Sequence, residues 1–172
     1  ISPSMLTQTE PGEIFILRNA GNIIPSYEAG PNGEAATVEF AVLGLGIENI
    51  VVCGHSNCGA MKAVLDPGLS DHLPALRAWL EHAKNSPHGP EKNLNSIVEQ
   101  NVLTQLNNLK THPAVRDRLA QGKLHLFGWV YKISTGEVLS YDFRDEQFRP
   151  LQEANRVIPH ANVAADDNKF QM

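Results

Sequence analysis

Hydrophobic positions along this chain follow two periods, and the switching between them predicts an α/β protein. After a Pro11-Gly12 turn, Glu13 to Arg18 is a mostly apolar run and predicts a buried strand. Asn19 to Gly33 is rich in Gly, Asn and Pro and predicts a loop. From Ala35 to Leu45, residues Val38, Ala41, Val42 and Leu45 recur at helical spacing, and Gly44 and Gly46 close the helix. Ile50 to Cys53 is a short β-branched run that leads straight into Gly54. Strand, helix and strand with short joints predict a parallel βαβ unit with a right-handed crossover.

Beyond it, Ala60 to Leu65 predicts a short helix that Pro67-Gly68 stops. Asp71 to Lys84 predicts another, with Leu73, Leu76, Trp79 and Leu80 on one face, and Asn85 to Asn93 a surface loop. Leu94 to Lys110 carries the clearest helical stripe: Ile97, Val98, Val102, Leu106 and Leu109. Pro113 opens a further short helix and Gly122 ends it. Lys123 to Ile133 and Glu137 to Phe143 are strand-like and joined at Ser134-Thr135-Gly136, the spacing of an antiparallel hairpin. The expected fold is a central, mostly parallel sheet flanked by helices, with a C-terminal antiparallel edge strand. It forms one domain over residues 1–153, followed by a polar, aperiodic tail over 154–172.

Composition narrows the function classes. A chain of 172 residues is long enough for one good core and too short for two ordinary domains. Its 14 Lys and Arg against 19 Asp and Glu give a net charge of −5, which argues against broad binding to a nucleic-acid backbone. No apolar run approaches the roughly 20 residues that span a bilayer. The two cysteines, Cys53 and Cys58, cannot staple a disulfide scaffold and suit a reducing compartment.

Chemistry concentrates in Val51 to Ala60. A buried strand ends, Gly54 frees the backbone, His55 and Cys58 follow at His-x-x-Cys spacing, and Gly59 opens a helix. The carboxyl end of a strand is where open α/β sheets bind ligands. Imidazole nitrogen with thiolate sulfur favours zinc, whereas a buried free cysteine is also an ordinary small hydrophobe. Spacing alone leaves both readings open. Cys53 lies two residues before His55, on the same face of a continuing strand, but it ends a β-branched run, and core packing is its expected role.

Cys53 to Met61 resembles the second metal motif of the β-class carbonic anhydrases. Pro11-Gly12-Glu13 with Phe15, then Arg18 to Asn22, is similar to that family's second strand and the loop after it. Ala36 to Val42 resembles its crossover helix, and Glu99 to Val102, Leu109 to Pro113 and Gly128 to Tyr131 resemble later segments. The likeness runs from Ile1 to about Pro150, and its later portion is most similar to the cyanobacterial type. It implies a zinc enzyme in which His55 and Cys58 are the second and third metal ligands and Cys53 is none. The family's first ligand belongs to a Cys-x-Asp-x-Arg motif, which these 172 residues do not contain. By the resemblance it belongs immediately upstream of Ile1, together with the Asp–Arg pair that governs the zinc-bound water, so no catalytic pair is expected within the chain itself.

The implied reaction is reversible hydration of CO2 to bicarbonate and a proton by zinc-bound hydroxide. The resemblance casts the backbone N–H of Gly59 as an oxygen-binding donor and Phe15, Ala20 and Phe40 as the apolar wall of the CO2 pocket; core packing is the plainer role for each of the three. His72, His82 and His88 are expected in solvent, and His112 at the turn before Pro113. The family pattern implies a homodimer or larger homo-oligomer and a cytoplasmic location, with the carboxysome or an organelle stroma as alternatives. Two rival readings stand beside it: a hydrolase of CS2 or COS on the same scaffold, and a metal-free homologue or fragment that serves as an assembly or binding subunit.

Overall fold

The computed structural model describes residues 1–83 and 93–151. A short helix, α1 (Pro3–Thr7), begins the chain. Next comes α2 (Gly33–Glu39), capped by Asn32, whose Oδ1 accepts from the Ala35 amide at 2.8 Å; it widens into a π-helical turn over Phe40–Gly44. The rest runs β1 (Asn49–His55), α3 (Gly59–Leu65), α4 (Pro74–Leu80), α5 (Leu94–Thr111), α6 (Pro113–Ala120), β2 (His125–Lys132), β3 (Glu137–Asp142) and β4 (Gln147–Pro150). Asn93 caps α5 through Ser96, and the extended backbone of His112, imposed by Pro113 after it, separates α5 from α6.

The sheet order is β1-β2-β3-β4. β1 pairs with β2 in parallel, Cys53 opposite Trp129 and His55 opposite Tyr131, while β2–β3 and β3–β4 are antiparallel. The α/β class with an antiparallel edge is therefore as expected, but the parallel pair is made across α3 to α6 and not across α2. Glu13 to Arg18 forms no strand. A strand exists by pairing, β1 has no neighbour on its other side among the described residues, and Phe15 and Ile16 stay exposed. β4, absent from the sequence expectation, extends the hairpin by a third strand. The segment Asp71 to Lys84 is helical only from Pro74, with a 3-10 turn over Glu81–Ala83. The loop before Asn93, the tail over 154–172 and His88 lie outside the described residues.

One helix carries the core. Val98, Val102, Leu106 and Leu109 of α5 are fully buried against the sheet, each such side chain contributing about 1.5–3 kcal/mol relative to exposure. The sheet accepts the helix closely because two facing positions are glycine. A Cβ on Gly54 would lie 2.9 Å from Val102 Cγ2 and 3.1 Å from Val98 Cγ1, and one on Gly128 would lie 2.9 Å from Leu106 Cδ1. Even-numbered positions of β1 and β2 thus face α5, and Val51, Cys53, His55, Phe127, Trp129 and Tyr131 face the other way.

Gly54→Val should lower the unfolding free energy by about 1–3 kcal/mol through overpacking against α5. Gly33→Ala, at an open helical position, should not lower it. Urea titration of both variants checks the contrast.

Candidate functional site

The turn from β1 into α3 is built from backbone bonds that leave two side chains free for chemistry. Ser56 continues the ladder beyond the end of β1: its amide donates to the Tyr131 carbonyl at 2.9 Å, and its Oγ accepts from the Ile133 amide at 2.9 Å. Asn57 then adopts φ 59°, a left-handed residue that turns the chain by a single position. Cys58 is the N-cap of α3, its carbonyl taking the Lys62 amide at 3.0 Å. The local sequence suits the turn, with Ser for a side-chain acceptor and Asn for the left-handed residue, while at Gly59 a Cβ would meet nothing and the fold does not require glycine.

His55 Nδ1 lies 2.9 Å from the Ser56 carbonyl oxygen. A carbonyl only accepts, so Nδ1 carries the proton and the lone pair of the neutral ring sits on Nε2. That is the state in which an imidazole binds a metal, oriented by a hydrogen bond from its other nitrogen. Cys58 is 4% exposed and forms no disulfide. An oriented imidazole and a buried thiol three residues apart match the nitrogen and sulfur donors that zinc takes. Among the described residues no group of three or more His, Cys, Asp or Glu comes together to complete such a set.

Cys53 behaves differently. Burial pushes its thiol up to about 11, and its Sγ donates weakly to the Gly54 carbonyl at 3.5 Å. Its surroundings are those of a packed side chain, half-buried on the strand.

The remaining candidates fall into two groups. Phe15 and Phe40 come together, ring centroids 6.4 Å apart and tilted 57°, but at 47% and 46% exposure neither belongs to the core. Gly59 is the first residue of α3, and Ala20 precedes Gly21, which packs against that helix. The Ala20 carbonyl accepts Trp79 Nε1 at 2.8 Å, and the next residue, Gly21 (φ 83°), is so close to α3 that a Cβ would lie 3.1 Å from Met61 Cε and 3.2 Å from Ala60 Cβ. His72 is exposed, and His82 stacks edge-on to Trp79 at 5.6 Å. His112 is 3% exposed, its Nε2 donating to the Pro25 carbonyl at 3.0 Å, a deeper role than the expected turn.

Sequence reasoning missed the amides behind the site. Asn101 Nδ2 donates to the Gly21 carbonyl at 2.8 Å, Gln105 Oε1 accepts the Ile24 amide at 2.9 Å, and Asn108 Nδ2 donates to the Ile24 carbonyl at 2.8 Å. The signal was there: uncharged amides at 101, 105 and 108 share helical spacing beside the apolar stripe of α5.

Fold and site together define an α/β protein with a His-x-x-Cys donor pair at the carboxyl end of a sheet strand. The family model described as "Carbonic anhydrase" matches residues 1–138. A carbonic anhydrase of Pseudomonas aeruginosa is 47% identical, the match covering 89% of this chain and 73% of that protein. One of Synechococcus elongatus is 46% identical over 81% of this chain but only 55% of its own length. The solved structure of the β-carbonic anhydrase CcaA superposes with a TM-score of 0.80 at 44% identity, covering 87% of this chain and 78% of that one. This chain belongs to the carbonic anhydrase family, in its β class.

Asn57→Gly should preserve the turn, whereas Asn57→Val, β-branched at positive φ, should cost about 1–2 kcal/mol. Urea unfolding of the two variants against the parent measures the difference.

Proposed function

We propose that the protein catalyses reversible hydration of CO2 to bicarbonate, with zinc held by His55 Nε2 and Cys58 Sγ. The observation that carries this reading is the His55 Nδ1 bond to the Ser56 carbonyl, which leaves Nε2 as the free donor three residues before a buried thiol. When bound, zinc supplies a Lewis acid that brings the acidity of a coordinated water near neutral pH. The chain's own groups do the rest. Ser56 fixes the His55 ring, the Gly59 N–H at the start of α3 donates to a substrate oxygen, and Phe15, Phe40 and Ala20 supply apolar surface for CO2.

Zinc sites use three or four protein ligands. The third is proposed to come, with an Asp–Arg pair, from a Cys-x-Asp-x-Arg segment outside these 172 residues. The outer edge of β1, unpaired among the described residues, supports this. A homodimer or larger homo-oligomer in the cytoplasm completes the proposal. Val51 and Ile133 are exposed on the sheet face opposite α5, and Trp129 Nε1 there is buried with no partner among the described residues. No helix among the described residues is long and apolar enough to cross a membrane.

The two-donor set itself favours a second reading, a metal-free homologue acting as an assembly subunit. Intact mass with metal analysis of the purified full-length protein separates the two: about one zinc per chain and CO2 hydration by stopped flow support the first, neither the second. His55→Ala and Cys58→Ser should each abolish both signals, and Cys53→Ala should keep the zinc. Zinc retained in Cys58→Ser overturns the ligand assignment.

A further inference from the structure

The loop Asn19 to Tyr27 has almost no secondary structure of its own, with one 3-10 turn at Tyr27–Ala29. Asn19 of the loop itself takes both main-chain groups of Ile23, and several others are bonded to side chains of α5 and of His112 just after it. Asn101 takes the Gly21 carbonyl, Gln105 the Ile24 amide, Asn108 the Ile24 carbonyl, His112 the Pro25 carbonyl, and Thr111 Oγ1 accepts the Tyr27 amide at 2.8 Å. Within the helix, Gln105 Nε2 donates to Asn101 Oδ1 at 2.9 Å, so the two amide orientations are set together. Asn101 and Gln105 are fully buried, at 2% and 0% exposure. Buried amides of this kind are costly unless satisfied, and here each bond also fixes a piece of loop.

Asn101 differs from the other members in what lies behind its partner. Gly21 rests on Ala60 and Met61, the second and third residues of α3, directly after Cys58 and Gly59. The preceding carbonyl, of Ala20, is held from the other side by Trp79. On α5 itself, Asn101 stands between Val98 and Val102, the two side chains that seat Gly54 next to His55. A single turn of α5 therefore bears on both donors: through Gly54 on the strand that ends in His55, and through Gly21 on the helix that begins after Cys58. Asn108, about two turns on, holds the Ile24 carbonyl and also donates to Gln105 Oε1 at 3.2 Å, with no bond to Gly21.

We propose that Asn101 is a positioning residue for the His55–Cys58 site, acting through the Gly21 carbonyl on the first turn of α3. Its kinetic consequences rest on the zinc hydratase reading; its structural consequence does not. Without the amide, Gly21 lifts from Ala60 and Met61, the first turn of α3 gains freedom, and Cys58 loses its fixed relation to His55. Gln105 contributes by locking the Asn101 amide.

The test compares Asn101→Ala with Asn108→Ala in the full-length protein, since each removes one amide-to-loop bond from the same helix. In the zinc-loaded enzyme, Asn101→Ala should keep about one metal per chain yet lower kcat/KM for CO2 about tenfold or more, mainly through kcat, as loss of a ligand-orienting contact does. The visible d–d bands of the cobalt-substituted form should change in the same variant. Asn108→Ala should leave kcat/KM and the cobalt spectrum as in the parent at a comparable loss of Tm. In the metal-free protein, alkylation of Cys58 by iodoacetamide, followed by mass spectrometry, should be faster in Asn101→Ala and unchanged in Asn108→Ala. If Asn101→Ala does not fold, Asn101→Ser takes its place in every arm. Equal effects of the two variants on all three readouts, or no effect of the Asn101 variant on any, overturn the proposal. A parent protein that binds no metal and hydrates no CO2 defeats the functional reading instead, and leaves the alkylation arm to decide the positioning role.

Discussion

The close seat of α5 on the sheet is the constraint on which the rest depends. Two missing Cβ atoms, at Gly54 and Gly128, let Val98, Val102 and Leu106 descend to contact with the backbone of β1 and β2. The helix axis, and with it every side chain on its flank, is fixed relative to the end of β1. Were α5 to ride higher by one methyl group, Asn101, Gln105 and Asn108 would no longer reach the main-chain groups of the loop at 2.8–2.9 Å. Packing of small against β-branched residues thus sets the reach of a polar network.

That network explains how a loop with little internal pairing can stand beside a chemical site. Buried main-chain groups must find partners, and between Gly21 and Tyr27 these come from side chains of α5, His112 and the loop's own Asn19 in place of a neighbouring strand. The cost is two buried carboxamides and a half-buried one on a core helix, with a buried histidine just past its end. The return is that loop, helix and strand meet at Gly21, Ala60 and Gly54 with little play. Stability and site geometry are carried by the same bonds.

Much of this was legible in the sequence. The α5 stripe, the hairpin at Ser134 to Gly136 and the His55–Cys58 turn all rest on local periodicity or local turn chemistry, and the structure has them where the pattern put them. Glu13 to Arg18 shows the limit: an apolar run states that a strand is possible, while its formation depends on an edge to pair with, which is not local information. β4 escaped notice because Phe148 is the only aromatic in a short polar run, and its strand character comes from pairing with β3. The amides of α5 were hidden for a related reason. Asn and Gln within a helix ordinarily signal a solvent-facing surface, and only the loop across from them turns that face into an interior.

The His55 hydrogen bond to its own neighbour has a further consequence. In many metal sites the group that orients a ligand imidazole is recruited from a distant part of the chain, and ligand and orienting group can drift apart as sequences diverge. Here the acceptor is the peptide of the very next residue. His55, the carbonyl that orients it, the left-handed Asn57 and the Cys58 thiol are packed into four consecutive residues. The orienting group is main chain, so the Ser56 side chain bears on the His55 ring only indirectly, through the Oγ bond to Ile133 that holds this peptide in place.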